Sequence, residues 1–364
     1  MKNFIKGFKK FCCGRVNFVL IFVIVLFVIS FSFFYSFSVN RVKSIFVDQM
    51  YRQEELAISS GANSIHVFLE MAGNSLLLLS RNFSIVSQDP EGQKILDDFA
   101  LDWVGTPVLG AARFDKDGVL LFMSNNIDEF SNITNDLVVH DRDYFIWAET
   151  ATEGQIYLGK PLIPKVELSE SQYIFPLITP IYNKEEFDGV LALAISLPKL
   201  TATYMEPLEV SPNSRVYLIH PDGTILAGPA ESVELVGVNY FEYLRNKSYS
   251  GSEGALQRLT EAVEGLNQGK LDIILYSPIE KKPVRFLIAY HPVAFEEKQW
   301  TLGLAVPIDD AFVAFNLFKD SRIMIFSLFI FMIMTLSIVA ILMAKIERRN
   351  AYIDGLEKGK KGKK

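Results

Sequence analysis

The chain has 364 residues, half of them apolar, with a mean hydropathy of +0.22 and a formal net charge of −6. That hydropathy is high for a soluble protein and too low for a polytopic one, so membrane segments are expected to be few and localised. The acidic balance excludes nucleic acid as a partner of the bulk of the chain.

Residues 1–15 carry Lys2, Lys6, Lys9, Lys10 and Arg15 and no acid. The run from Val16 to Val39, VNFVLIFVIVLFVISFSFFYSFSV, is uncharged and long enough for a ~30 Å hydrocarbon core at ~1.5 Å per residue. A cleaved signal peptide is the competing reading, but the run exceeds the ~7–15 apolar residues of such a segment and no small-x-small cleavage site follows. A second uncharged run, IMIFSLFIFMIMTLSIVAILMA, fills 323–344, and the tail from Lys345 carries eight Lys or Arg against Glu347, Asp354 and Glu357. Basic residues flanking both runs predict a two-pass protein of the inner (plasma) membrane with both termini cytoplasmic. Between the runs lie 23 of the 36 basic and 39 of the 42 acidic residues, a net charge of about −16, as suits a translocated, solvated segment. Cys12 and Cys13 are the only cysteines; they are either lipidated or plain reduced thiols, and the external segment has no disulfide.

After the first run no proline occurs until Pro90, and Ile58, Ala62, Ile65, Leu69, Ala72, Leu76 and Leu79 step alternately by four and three, the seam of one helix. A stalk helix is expected over 40–84. Its seam serves a dimer partner, the protein's own sheet, or both. From Gly110 the period changes to two. GAARFDKDGVLLFMS reads as two strands around a tight turn at Asp115 to Gly118, and RVYLIHPDGTILA (215–227) repeats the pattern around Pro221-Asp222-Gly223. Strand pairs follow each: YIFPLITPIY (173–182) with GVLALAISL (189–197), then PVRFLIAYHPV (283–293) with WTLGLAVP (300–307). Hairpin, excursion, hairpin thus occurs twice, and two tandem modules fit the length better than one domain.

This order of motifs, with RDYF opening a helix at 142–145 and GKPLIP at 159–164, resembles the double Cache family of extracytoplasmic sensor domains in bacterial chemoreceptors, sensor kinases and cyclic-dinucleotide enzymes. The resemblance covers roughly residues 39–320. It implies an α+β fold: a long N-terminal stalk helix, then two PAS-like α/β modules with antiparallel sheets, flanked by two transmembrane helices. The expected segments are a cytoplasmic N-terminus (1–15), a first transmembrane helix (16–39), the stalk (40–84), a membrane-distal module (85–205), a membrane-proximal module (206–320), a second transmembrane helix (323–344) and a basic cytoplasmic tail (345–364).

In the family, the distal module holds the ligand, and an arginine followed after one residue by two aromatics lines the pocket. The matching residues are Arg142, Tyr144 and Phe145; Trp147 in the same helix and Lys160 beyond it complete the candidate ligand-binding set. A guanidinium pairs bidentately with a carboxylate while aromatic faces bury the rest of a small molecule. The alternative is structural: Asp141 or Asp143 occupies the guanidinium and the aromatics are ordinary core. The amino-acid-binding subset also uses acids and tyrosines to hold an ammonium. Here Ala194 stands in the strand position of one such acid, Leu137 lies five before Arg142, and GKPLIP replaces a tyrosine and acid. An α-amino acid is therefore disfavoured and a carboxylate or other small metabolite preferred.

His66, His140, His220 and His291 lack metal-ligand spacing, and no GxSxG, phosphate-binding glycine loop or HExxH occurs. No cofactor, metal or catalytic residue is expected, and the chain reads as a non-enzyme. About twenty residues after the second run are too few for a folded output module. Lysines at 358–364 serve either the anionic inner leaflet or mere solubility. Two functions stay open: a sensor, stand-alone or the sensory part of a truncated chemoreceptor, histidine kinase or diguanylate cyclase, homodimeric through stalk and membrane helices and passing its signal to a cytoplasmic or membrane partner; or a scaffold with a degenerate pocket.

Overall fold

A computed structural model describes residues 2–124, 137–164, 173–247, 251–311 and scattered positions between 329 and 355. The chain forms two units, Met1–Val47 with Phe312–Lys364, and Asp48–Ala311. Helix α1 (Lys2–Ser80) contributes to both. In the first unit, Ile29, Phe33 and Phe37 on α1, spaced by one turn, are exposed. The apolar runs at 16–39 and 323–344 fall mostly on residues whose side chains are outside the description. Among the described residues, no helix is long and apolar enough to cross a membrane.

In the second unit, α1 is followed by α2 (Phe83–Val86), α3 (Glu91–Asp102), β1 (Val108–Phe114), β2 (Leu120–Met123), α4 (Asp143–Ala148), β3 (Tyr157–Leu158), β4 (Ile174–Asn183), β5 (Glu186–Ser196) and α5 (Leu197–Leu200). Then come β6 (Arg215–Ile219), β7 (Ile225–Ala227), α6 (Tyr240–Arg245), α7 (Ser252–Glu264), β8 (Gly269–Ser277), β9 (Lys282–Phe295), β10 (Lys298–Pro307) and α8 (Ile308–Ala311). The first sheet has the order β2-β1-β5-β4-β3 and the second β7-β6-β10-β9-β8, with every pairing antiparallel. The second order is the first shifted by five strands. The repeat expected from the sequence is a repeat of topology.

Each turn has its local cause. Asp115 Oδ1 accepts the backbone N–H groups of Asp117 and Val119, an Asx turn that lets Gly118 take φ +76°. A Cβ on Gly118 would lie 2.7 Å from the backbone nitrogen of His140, so only glycine fits. Asp222 Oδ1 accepts from Thr224 N at the second copy of this turn. The β4–β5 hairpin closes on Lys184 and Glu185, both at positive φ (53° and 70°), a two-residue turn made without glycine.

Side chains alternate across a strand, and here the two faces have different fates. Leu191, Leu193 and Ile195 of β5 and Leu302, Leu304 and Val306 of β10 are fully buried in one cluster with Ile58, Ile65, Leu69 and Leu76 of α1. The helical seam is therefore spent on the protein's own sheets, each buried Ile or Leu contributing roughly 1.5–3 kcal/mol. Both sheets share that cluster, and Phe175 of β4 stacks on Trp300 of β10 at 5.3 Å and 13°. The opposite faces carry separate clusters: Phe114, Tyr144, Phe145 and Ile178 on the first sheet, Phe241, Leu259, Leu275 and Ile288 on the second.

Glu54 of α1 is an exception within this packing. It is 0% exposed and neither carboxyl oxygen has a hydrogen-bond partner, so burial pushes its pKa up to about 8. An acid whose folded-state pKa is raised keeps full stability below its ordinary value, near 4.5, and loses it as pH rises through the folded value. Glu54→Gln is expected to match the wild-type chain at pH 4 to 5. It should gain on it by up to about 1.4 kcal/mol per pH unit until about pH 8, read by denaturant unfolding across that range; parallel pH profiles for the two proteins would refute the assignment.

Candidate functional site

The outer face of the first sheet is hollow because its central positions are small. Gly110 and Ala112 of β1 lie directly opposite Ala194 and Ala192 of β5, and all four line a cavity of about 80 Å³. At ~10–15 Å³ per water-sized centre that is room for roughly five to eight such centres, the scale of a small metabolite. Leu137, Leu162 and Pro164 close its sides, with Ile174, Pro176 and Ile178 of β4 beneath.

Of the candidate residues, Arg142 and Tyr144 reach this cavity. Arg142 is the N-cap of α4, held extended at φ −83° and ψ 143°, which turns its half-buried side chain away from the helix. Tyr144 is buried. Burial pushes its hydroxyl up to about 12 and the nearby Arg142 charge acts the other way, so the phenol remains a neutral hydrogen-bonding group at any physiological pH. Phe145 lies elsewhere, edge-on to Phe187 at 5.9 Å in the core behind the cavity. Trp147 stacks on Tyr157 at 5.0 Å, and Lys160 is exposed beyond β3; neither lines the described cavity. The segment resolves into two lining residues and two packing ones because consecutive helical side chains diverge by about 100°.

The structural alternative for Arg142 is a pair with Asp141 or Asp143. Asp143 Oδ1 accepts the backbone N–H of Tyr144 at 2.8 Å and sits beside the Tyr157 hydroxyl, whose pKa is raised by burial and then by that charge. Among the described residues no ion pair involves Arg142, and none of the described lining residues is acidic. A cation that is built into the fold is Arg113 of β1, which sequence alternation assigns to a polar face. It is 0% exposed and pairs with Asp188 (Nη2 to Oδ2, 2.7 Å). It also donates to the carbonyls of Asp188 (2.9 Å), Ile85 (3.4 Å) and Phe114. Burial lowers its pKa to about 10 against the opposing effect of Asp188. Helix α3 packs on β1 and the guanidinium reaches the Ile85 carbonyl of α2; no local sequence pattern announces this burial.

The pattern that defines the Cache domain family matches residues 41–315. Solved structures of similar fold include the ligand-binding domain of the Pseudomonas fluorescens chemoreceptor CtaA in complex with L-serine (15% identity, 72% of this chain and 99% of that one, TM-score 0.51). The same domain in complex with L-isoleucine (16%, 75% and 97%, 0.52) is another. A third is the extracellular domain of vpHK1S-Z8, a protein assigned as a histidine kinase (15%, 73% and 98%, 0.53). No match was found among curated proteins.

The two arginines make opposite predictions. Arg113→Met, which strands Asp188, should cost about 3 kcal/mol, whereas Arg142→Ala should stay within about 0.5 kcal/mol of wild type. Equilibrium unfolding of the two variants checks this, and a comparable loss in both would return Arg142 to a structural role.

Proposed function

The chain belongs to the Cache domain family, and from that premise we propose that it is a membrane-anchored extracytoplasmic sensor. It takes a small carboxylate without an α-ammonium against Arg142 in the first-sheet cavity and passes the occupancy signal across the membrane to a partner. The observation that carries this reading is a cavity that is apolar apart from Tyr144 and walled by one guanidinium with no carboxylate paired to it among the described residues. A ligand carboxylate there gains a charge-assisted bidentate pair in a partly dry site. An ammonium would find Ala194, Leu137 and Leu162 in its place and would be left unpaired at a cost of several kcal/mol. The sensory families of the solved relatives agree with the coarse function, and the L-serine and L-isoleucine named for one of them are the ligand class this lining disfavours.

Membrane anchoring rests on the uncharged runs at 16–39 and 323–344 with their basic flanks. It is supported by the outward exposure of Ile29, Phe33, Phe37, Ile330, Met334 and Ile341, surfaces suited to lipid. Homodimerisation is supported by α1 itself. Leu56, Val67, Met71 and Leu78 are exposed and fall within an arc of about 60°, roughly opposite the buried seam, at ~100° per residue. A helix apolar on both faces has a second surface to cover. A signal would then bias two packings of paired helices.

Two measurements test this. Thermal unfolding of the full-length chain should shift with small hydroxy or keto monocarboxylates such as lactate or pyruvate, by about 2.7 kcal/mol at a hundredfold excess over Kd, and not with L-amino acids. Arg142→Ala should lose the shift. A response confined to amino acids, or one that Arg142→Ala retains, sinks the ligand assignment, and silence across the panel leaves the scaffold reading. In a chain with Cys12 and Cys13 replaced by Ser, Met71→Cys should form an oxidative crosslink between copies in membranes, while Glu70→Cys, about 100° away on the helix, should crosslink far less. Equal yields at both positions count against the stripe.

A further inference from the structure

The second sheet repeats the hollow of the first on its own outer face. Gly303 and Ala305 of β10 are half-exposed between the buried Leu302, Leu304 and Val306, as Ala192 and Ala194 are between the buried residues of β5. They border a cavity of about 90 Å³, slightly larger than the first. Its walls are more aromatic: Tyr217, Tyr240, Phe286 and Tyr290 line it, with Leu259 and Val263 of α7 closing it. Gly303 borders open space in this hollow. A Cβ built there meets nothing within 4 Å, so the strand is open at that point by composition and not because a neighbour fills the space.

One cation faces this cavity. Arg215 of β6 lies directly opposite Ala305 and lines the wall. Its Nη1 donates to the carbonyls of Pro212 (3.0 Å) and Ser214 (2.6 Å), which fix the guanidinium, and it pairs with the Glu209 carboxylate at 4.0 Å. Several other polar groups of the described lining are committed within the protein. Thr301 donates to the Val263 carbonyl, Asn213 to Asp310, and Glu280, the one acid, is paired with Lys282 at 2.8 Å. The described lining thus offers an aromatic and aliphatic enclosure with a positive charge, held in place by its own partners, at the edge.

We propose that this second-sheet cavity is a separate binding site for a small apolar monocarboxylate, aromatic or short-chain aliphatic, whose carboxylate faces Arg215 and whose body lies over Gly303. The cavity admits roughly six to nine water-sized centres at ~10–15 Å³ each, the size of benzoate or hexanoate. The site is distinct from the one at Arg142 and stands on different residues.

Equilibrium dialysis of the full-length chain in nanodiscs against radiolabelled benzoate tests it, with benzamide as the neutral isostere. The wild-type chain should bind benzoate saturably, one per chain, and bind benzamide at least tenfold more weakly. Affinity should fall in the series Gly303, Gly303→Ala, Gly303→Leu, the last abolishing binding by occupying the cavity. The alanine variant keeps the series readable if the leucine variant melts lower. Arg215→Met should reduce benzoate to the level of benzamide, and Arg142→Ala should leave binding unchanged. The proposal is overturned if the folded wild-type chain takes up neither benzoate nor hexanoate saturably, if binding is indifferent to residue 303, or if Arg142→Ala removes it while Gly303→Leu does not.

Discussion

The architecture depends on one burial constraint: two five-stranded sheets present apolar faces to a single shared core, and one helix, α1, runs along both. Neither sheet is wide enough to curl over its own face, and the strands that would need covering most, β5 and β10, are the central ones. The α1 seam from Ile58 to Leu76 answers both at once. With one continuous cluster and the Phe175–Trp300 stack across it, the two topological repeats behave as parts of one compact unit, although each sheet is complete in its hydrogen bonding.

Because the inner faces are committed to the helix, any variation between the repeats is confined to the outer faces. There the sequence differs in kind. The first sheet is overlaid by the short α4 and its flanking loops, which bring Arg142 in from a helix cap. The second is overlaid by α6 and α7, and its arginine comes from the sheet itself. Small residues on the central strand make room in both. The same scaffold thus carries two cavities with differently mounted cations, one on the segment inserted between the second and third strands of its repeat and one on the first strand of its own.

Much of this was legible from sequence because the signals are local. The four-three seam of α1, the Asp-x-Asp-Gly and Pro-Asp-Gly turns and the alternation in β4, β5, β9 and β10 depend on residues within a few positions of one another. What escaped were features created by long-range covering. Strand β8 was missed: Ile273, Ile274 and Leu275 read as an unbroken apolar run, yet Ile274 is exposed while its neighbours are buried. Arg113 sits at a position that alternation gives to solvent, yet it is buried beneath elements distant in sequence, α3 on β1 and the Ile85 carbonyl of α2. Within the candidate site, the arginine and first aromatic of RDYF could be placed by resemblance, but Phe145 and Trp147 turn to the core because the helix rotates them there. The departures at Leu137 and Ala194 were readable in advance and both line the cavity.

The strand β5 is a partition one residue thick. Ala194 faces the hollow that holds Arg142, while its covalent neighbours Leu193 and Ile195 are locked into the helix seam on the other side. No intervening layer exists to absorb a displacement, so whatever presses on the alanines loads the helix directly, as a diaphragm transmits pressure between two chambers.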